Sequence, residues 1–493
     1  MAKSFIHYQE IKGKQYASIY TPRKVNGKKD NQPLYLGRVI DKENGIFTSK
    51  ERGTFKYTLA NGFSDSVSHG QKEEKLILDF GDAYVTYTVL KEYGFWDLFR
   101  SVLPGWEDTL CTMLFYRLLR GGASRYARDW WTGSYLSQIC PRAKIESQRV
   151  SEFFLALGNE QVQREFFPKY LAKISDGQKN HGILIDSTGM PDDCHSPLTA
   201  INNHNGVISN ETRLILAVDR ITSLPLLFRY VPGNIIDVST LKSTILELST
   251  YGVSVDFSIL DAGYYCGKNI KSLYAEEIRF VTRLSPNLKL YKNLVRCHAD
   301  TLESPENAIF YRERLLYIKR VPAELCGRTA YAYVAIDHQR RADEIYSFMK
   351  HSKDNKKKEQ LAGKLDYQWK SKGMFIIVSS DCVEISDILP LYYTRQAIEQ
   401  VFDFYKNNAD LLPLRTHNEG TLRGHLMLSF MATIAYMLVN SLLDGTKFCA
   451  DGAFRALHNL KCKVFDDCIL VKEANSKVND IVKHLKIEIP LKL

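Results

Sequence analysis

Near the C-terminal end, Tyr392, Arg395, Glu399 and Lys406 recur at helical spacing. At about 100° per residue they fall within roughly a 60° arc of one helix. One narrow stripe then carries a phenol, a guanidinium, a carboxylate and an ammonium, and Leu391, Ile398, Val401, Phe402 and Tyr405 form an apolar face beside it. Asp387 is the expected N-cap, and Pro390 fits a first turn. Such a stripe is either a solvated face with incidental ion pairs or an acid and bases aimed together at something polar. Two further stretches, His181–Gly189 and Phe257–Tyr265, each run from apolar residues to an Asp and then to small residues. The apolar runs read as strands buried on both faces. Asp186 and Asp261 at their carboxyl ends would stand where open α/β sheets present active sites. Either Asp alone reads equally well as the opening of a turn. With Glu399 they make three carboxylates that can converge on a hard cation. Magnesium prefers oxygen ligands, and paired metals can clamp the attacking and leaving oxygens at a phosphate.

The pattern Tyr392-x2-Arg395-x3-Glu399-x6-Lys406 matches a known signature at all four positions. In it the chain resembles bacterial insertion-sequence transposases of the cut-and-paste group, which carry a DDE triad and the YREK signature. Asp261-Ala262-Gly263-Tyr264 and Gly233-Asn234-x2-Asp237 also look like that family. The resemblance covers about 181–445. It implies Asp186, Asp261 and Glu399 as the catalytic, metal-binding triad, with Asp186 between two magnesium or manganese ions. Asp403, one turn beyond Glu399, is the rival third acid. The resemblance also implies DNA contacts from Tyr392, Arg395 and Lys406, and a homodimer bridging two element ends on double-stranded DNA. The acids lie 75 residues apart (261 − 186) and then 138 apart (399 − 261). The second gap is too long for a bare RNase H-like fold and resembles the subgroup with a β-rich insertion before the last helix. The expected fold class is therefore α/β: an RNase H-like catalytic core interrupted by a β-rich insertion, with N-terminal β-rich and helical modules. The alternatives are a same-fold DNA nuclease without strand transfer and a non-catalytic DNA-binding derivative.

With 493 residues the chain exceeds one typical core. Its composition is that of a soluble globular protein, and a net charge of +10 favours a polyanionic partner. Ten cysteines without a CxxC pair suit reduced thiols in a cytoplasm rather than a disulfide framework or zinc site. The start, Met1-Ala2-Lys3-Ser4-Phe5, lacks the apolar core of a signal peptide. The expected localisation is cytoplasmic, nucleoid-associated on DNA.

The spacing predicts six segments. Residues 1–80 read as a β-rich module, with Phe5–Ile11 and Tyr16–Tyr20 flanking a Lys12-Gly13-Lys14 turn. Its basic face is either a DNA-backbone contact or a solvated hairpin. Residues 81–180 read as helical, over Val89–Leu103, Thr109–Leu119 and Ser147–Leu157. There Arg117, Arg120, Arg125 and Arg128 lie near Trp130-Trp131; the region is either a plain helical bundle with the tryptophans in its core or, as the family resemblance implies, the DNA-end-binding region. Residues 181–284 form the first part of the core. Asp219 and Asp237 there are further candidate acids, but Asp219 reads more simply as opening a turn and Asp237 as capping a helix.

Residues 285–385 are the insertion, with strands at Ala308–Tyr311, Leu316–Arg320, Ala330–Ile336 and Met374–Ser379. Lys356-Lys357-Lys358 reads as an exposed loop. Trp369 is either a β-domain core residue or, as related transposases imply, an aromatic that stacks on a flipped base. Residues 386–445 hold the catalytic helix and end the core, and 446–493 form a C-terminal segment. Leu426–Leu443 approaches membrane-span length. Ser429, Thr433, Tyr436 and Asn440 mark a polar stripe on it, so it reads as a buried helix beside the catalytic one. No phosphate-loop or dinucleotide motif is present in the sequence, and no nucleotide cofactor is expected.

Overall fold

The computed structural model describes residues 4–493 except 12, 22, 26–27, 31–32, 50–51, 61, 65–74, 176–179, 193–197, 205–206, 236–238, 352–361 and 406–417. Lys12, Asp237, Lys356-Lys357-Lys358 and Lys406 lie outside the described residues. The chain divides into two compact units. One consists of Met1–Leu76, Lys463–Leu470 and Leu493, the other of Ile77–Cys462 and Val471–Lys492.

The first unit is a six-stranded antiparallel meander from Phe5–Ile11 to Gly62–Ser64. Alternating side chains bury Ala17, Ile19, Leu36, Phe47 and Phe55 on one face. The hairpin expected at Lys12-Gly13-Lys14 joins Phe5–Ile11 to Lys14–Tyr20, with Gly13 at φ 74°.

In the second unit the chain first forms helices. Ser147–Leu157 has the bounds its periodicity predicts. The single helix expected over Val89–Leu103 is instead two, Gly81–Glu92 and Phe95–Arg100. Gly94 at φ 67° breaks it, because a left-handed residue cannot continue an α-helix. The long apolar segment is the helix Glu419–Leu442, buried along most of its length against Ser147–Leu157 and Glu107–Leu119. Its length and hydropathy would suit a membrane span, but it is mostly buried within the protein, and Thr433 and Tyr436 of its polar stripe are bonded there. Thr433 Oγ1 donates to the Ser429 carbonyl at 2.7 Å, and the Tyr436 hydroxyl donates to Asp451 at 3.1 Å.

Arg117, one of the arginines expected at DNA, is buried and bonded to His425 Nδ1 at 3.1 Å. His425 stacks on Phe154 with centroids 3.6 Å apart. Burial, aided by Arg117, pushes the His425 imidazole down to about 3. It therefore stays neutral and accepts from the guanidinium, which keeps the Arg117 side chain inside the helices. Arg120, Arg125 and Arg128 are exposed.

His458, on the helix Ala450–His458, bonds Asp82 through Nδ1 at 2.9 Å and lies 3.5 Å from Asp79 through Nε2. The hydrogen bond to Asp82 raises the imidazole above its ordinary value against a smaller burial penalty. A raised folded-state value adds stability that is complete below the unfolded value, near 6.5, and is lost as pH rises through the folded value. We therefore expect His458→Gln to lose most stability relative to the parent near pH 6 and least near pH 9. Because the ring is partly exposed, the effect should stay below about 1 kcal/mol. Denaturant titrations at the two pH values check this, and a gap that widens towards pH 9 would contradict it.

The large sheet runs through ten strands. Its order is Ala200–His204, Val207–Asp219, Asn180–Pro191, Ser254–Leu260, Arg279–Arg283, Met374–Ser379, Arg328–Asp337, Arg314–Leu325 and Ala308–Tyr311, with Pro225–Pro232 also paired to Val207–Asp219. Asn180–Pro191 is antiparallel to Val207–Asp219 and parallel to Ser254–Leu260, which is parallel in turn to Arg279–Arg283. The strands between residues 285 and 385 are not a separate sheet. Met374–Ser379 pairs with Arg279–Arg283 in the register Val281↔Ser379, so the segment extends the same sheet. It also holds the helices Lys289–Leu302, His338–His351 and Ala362–Lys370.

Candidate active site

The local chain explains why Asp186 and Asp261 meet. Ile183, Leu184 and Ile185 are buried in the middle of the sheet, as are Ile259 and Leu260 on the neighbouring strand. The parallel register ends at Ile185↔Leu260, so Asp186 and Asp261 are the next residues on adjacent strands. Asp261 directly follows its strand, as expected, and stands just before the short turn Ala262–Tyr264 without capping it through its side chain. Asp186 differs from the expectation, because its strand continues to Pro191. The extra residues pair only with the antiparallel neighbour, from Ser187↔Ile215 onward. Asp186 thus stands where the parallel part of the sheet ends. Asp219 opens a turn, as read from the sequence, accepting from Ile221 N at 3.0 Å and Thr222 N at 2.7 Å, and it bonds His181 Nδ1 at 2.9 Å.

Glu399 comes from the other side. The predicted single helix is two, Ile385–Tyr393 and Gln396–Asp403. Between them the chain tightens to i→i−3 hydrogen bonds, Arg395 N to Tyr392 O at 3.3 Å and Ile398 N to Arg395 O at 3.1 Å. The N-cap is Glu384 rather than Asp387, which falls in the first turn. The apolar residues Ile398, Val401, Phe402 and Tyr405 are buried as their spacing predicts. The Tyr405 hydroxyl donates to the Leu426 carbonyl at 2.5 Å, which ties this turn to the long buried helix.

All three acids converge on one guanidinium. Arg395 Nη2 lies 2.8 Å from Asp186 Oδ2, and Nη1 lies 3.3 Å from Asp261 Oδ1 and 3.9 Å from Glu399 Oε1. The carboxylates grade outward: the side chains are 15% exposed at Asp186, 38% at Asp261 and 57% at Glu399. Glu399 is thus the most exposed of the three. Burial raises the Asp186 carboxyl above its usual range, although Arg395 pulls the other way. Burial also opposes the charge on Arg395, but Asp186 and Asp261 outweigh it and hold the guanidinium above its ordinary value. Tyr392 is buried beside this group, its phenol pushed up to about 12 by burial against the pull of Arg395. The Tyr392 hydroxyl and Arg395 Nε are buried without a complete hydrogen bond. Asp403 is exposed and stands in no ion pair with Arg395, which favours Glu399 as the third acid.

Three carboxylates are a hard oxygen donor set of the kind that suits magnesium or manganese. In the present arrangement no group of His, Cys, Asp and Glu among the described residues is spaced to close on a metal ion. The Arg395 guanidinium lies among the oxygens that a cation would gather.

Trp369 is not in a β-core. It lies on the helix Ala362–Lys370 and is 43% exposed. A different aromatic group borders the joint between Ile385–Tyr393 and Gln396–Asp403, and the sequence did not signal it. Tyr311 stacks on Tyr393 with centroids 5.5 Å apart, and Arg312 Nη1 donates to Gln396 Oε1 at 2.5 Å. Arg312 and Glu313 form the hairpin tip with positive φ of 48° and 61°. Asn and Gly are the residues that announce such a turn, and neither is present.

Residues 178–435 match the family described as "Transposase DDE domain". The chain belongs to that family and is a DNA transposase. A search of curated proteins finds no match. Among solved structures, one similar chain is the piggyBac transposase in a cryo-EM structure of its synaptic complex with hairpin DNA. It is 12% identical at a TM-score of 0.40, covering 77% of this chain and 79% of that one.

Proposed function

We propose that this transposase is an insertion-sequence enzyme of the cut-and-paste group, built on an RNase H-like core, that cleaves DNA at element ends and joins them to a target. The observation that carries the reading is the convergence of Asp186, Asp261 and Glu399, from three separate stretches, on a single point. The strand order Pro225–Pro232, Val207–Asp219, Asn180–Pro191, Ser254–Leu260, Arg279–Arg283 supports the RNase H-like assignment. Asp186, Asp261 and Glu399 would hold two magnesium ions, or manganese in their place. When bound, such ions polarise the phosphate and favour deprotonation of the attacking water or 3′-hydroxyl.

The chain's own residues do the rest. Asp186, at the floor of the site, fixes the centre of the acid group. Glu399, at the rim, faces incoming DNA. Arg395 and Lys406 neutralise phosphate and Trp369 contacts DNA; Tyr392, expected from the sequence at DNA, is instead buried and packs beside the guanidinium. The active unit is a homodimer bridging two DNA ends.

A strand-transfer assay tests the reading, using the purified protein, Mg2+ and duplexes carrying the element's end sequence with a free 3′-hydroxyl. The expected result is covalent joining of that end to a second duplex. Cleavage without any joined product would make the protein a nuclease of the same fold, and no cleavage by the wild-type chain would leave a DNA-binding derivative.

A further inference from the structure

We infer that Arg395 is the internal counter-ion of the acid group: it holds Asp186, Asp261 and Glu399 together before a divalent cation binds, and it must leave for that cation to enter. The inference rests on the reading of these three acids as a cation site. One guanidinium reaches all three carboxylates, at 2.8, 3.3 and 3.9 Å. Without it, Asp186 and Asp261 would face each other across adjacent strands, where among the described residues neither has another ion-pair partner, in a partly buried setting where like charges repel strongly. The guanidinium therefore keeps the acids assembled. Its planar fork meets Asp186 and Asp261 through different nitrogens, which a lysine ammonium could not reproduce.

The same contacts make Arg395 a competitor. A cation drawing these oxygens to its own coordination distance, about 2.0–2.1 Å for magnesium, cannot share the space with Nη1 and Nη2. Arg395 then needs another anion, and a DNA phosphate is the one the reaction supplies. Because the break at Thr394-Arg395 is tightened to i→i−3 bonds, the residue sits at a joint between two helices rather than in the middle of one. Reciprocal linkage follows: DNA that takes up Arg395 strengthens cation binding, and the cation strengthens DNA binding by the same factor.

The test uses the full chain without DNA and Mn2+ as the probe, with free Mn2+ counted by electron paramagnetic resonance. The proteins are the wild type, Arg395→Gln, Arg395→Lys and the double variant Arg395→Gln with Asp186→Asn. Arg395→Gln should bind Mn2+ at least about tenfold more tightly than the wild type, within the usual range of coupling between sites. Arg395→Lys should fall between them, and adding Asp186→Asn should remove the gain. Equal or weaker binding by a folded Arg395→Gln chain overturns the inference and leaves the cation site intact. If neither protein binds Mn2+, the acids are not a cation site, and the proposed chemistry falls together with the inference.

A second measurement needs only Arg395→Lys, for assignment. In the wild type, the Arg395 Nε–H signal in nitrogen-resolved nuclear magnetic resonance should move when Mg2+ is added. A signal unmoved at saturating Mg2+ overturns the inference even if Arg395→Gln fails to fold.

Discussion

Asp186→Asn, Asp261→Asn and Glu399→Gln should each lower DNA cleavage by about a thousandfold or more, equivalent to about 4 kcal/mol of barrier, while DNA binding should change little. Each substitution keeps the side chain's size and removes one negative charge from the point where the three acids meet. A cation held by oxygen ligands loses affinity and position with each charge removed. DNA affinity, in contrast, comes mainly from basic groups that meet phosphate, and these are untouched. Asp403→Asn is the control: Asp403 is exposed and stands in no ion pair with Arg395, so the variant should cleave at close to the parent rate. Single-turnover cleavage with a labelled end duplex, alongside a gel-shift measurement of binding, gives both quantities. Parent-like cleavage by any triad variant would remove that acid from the triad. A dead Asp403→Asn beside an active Glu399→Gln would move the third acid to Asp403.

The largest expected effect on stability comes from a glycine. At Gly424 the helix Glu419–Leu442 crosses the end of Ser147–Leu157 so closely that a Cβ would lie 2.0 Å from the Phe154 carbonyl oxygen. The contact is mutual, since a Cβ at Gly158 would lie 1.7 Å from the Gly420 carbonyl oxygen. Both obstacles are backbone atoms, which no rotamer change relieves. Alanine in a helix interior normally gains about 1 kcal/mol over glycine, but overpacking costs about 1–3 kcal/mol or more, and here two helices would have to separate. Gly424→Ala should therefore unfold at lower denaturant, losing about 2 kcal/mol or more. Gly133→Ala supplies the comparison: nothing stands within 4 Å of its added Cβ, and it should change stability little. A Gly424→Ala protein at least as stable as the parent would show that the helices do not cross this closely. Because Tyr405, at the end of the catalytic helix, bonds the Leu426 carbonyl, the same variant should also lower cleavage.

What the sequence determined by itself were properties that a few neighbouring residues set. An apolar run ending in Asp marks Asp186 and Asp261 because a buried strand needs such a run wherever it sits in the sheet. The apolar face of the Glu399 helix is legible for the same reason, since Ile398, Val401 and Phe402 must share one side at 3.6 residues per turn. Ser147–Leu157, Ala308–Tyr311 and Met374–Ser379 were bounded correctly because their patterns are uninterrupted.

The tertiary structure decided everything that depends on which distant groups meet. Residues 285–385 looked like an insertion of their own because pairing of Met374–Ser379 with Arg279–Arg283 joins positions about a hundred residues apart, and no local period encodes it. Arg117 reads from the sequence as one of a basic cluster, and Trp369 as either a core residue or a base-stacking aromatic; the fold buries Arg117 against His425 and sets Trp369 partly exposed on a helix. Arg395 is the clearest case. The sequence placed it one turn from Glu399 as a phosphate ligand, but only the fold brings Asp186 and Asp261 to its other side. Whether a guanidinium sits among carboxylates or in solvent is set by where three separate stretches of chain end, and that is a property of the assembled sheet rather than of any one stretch.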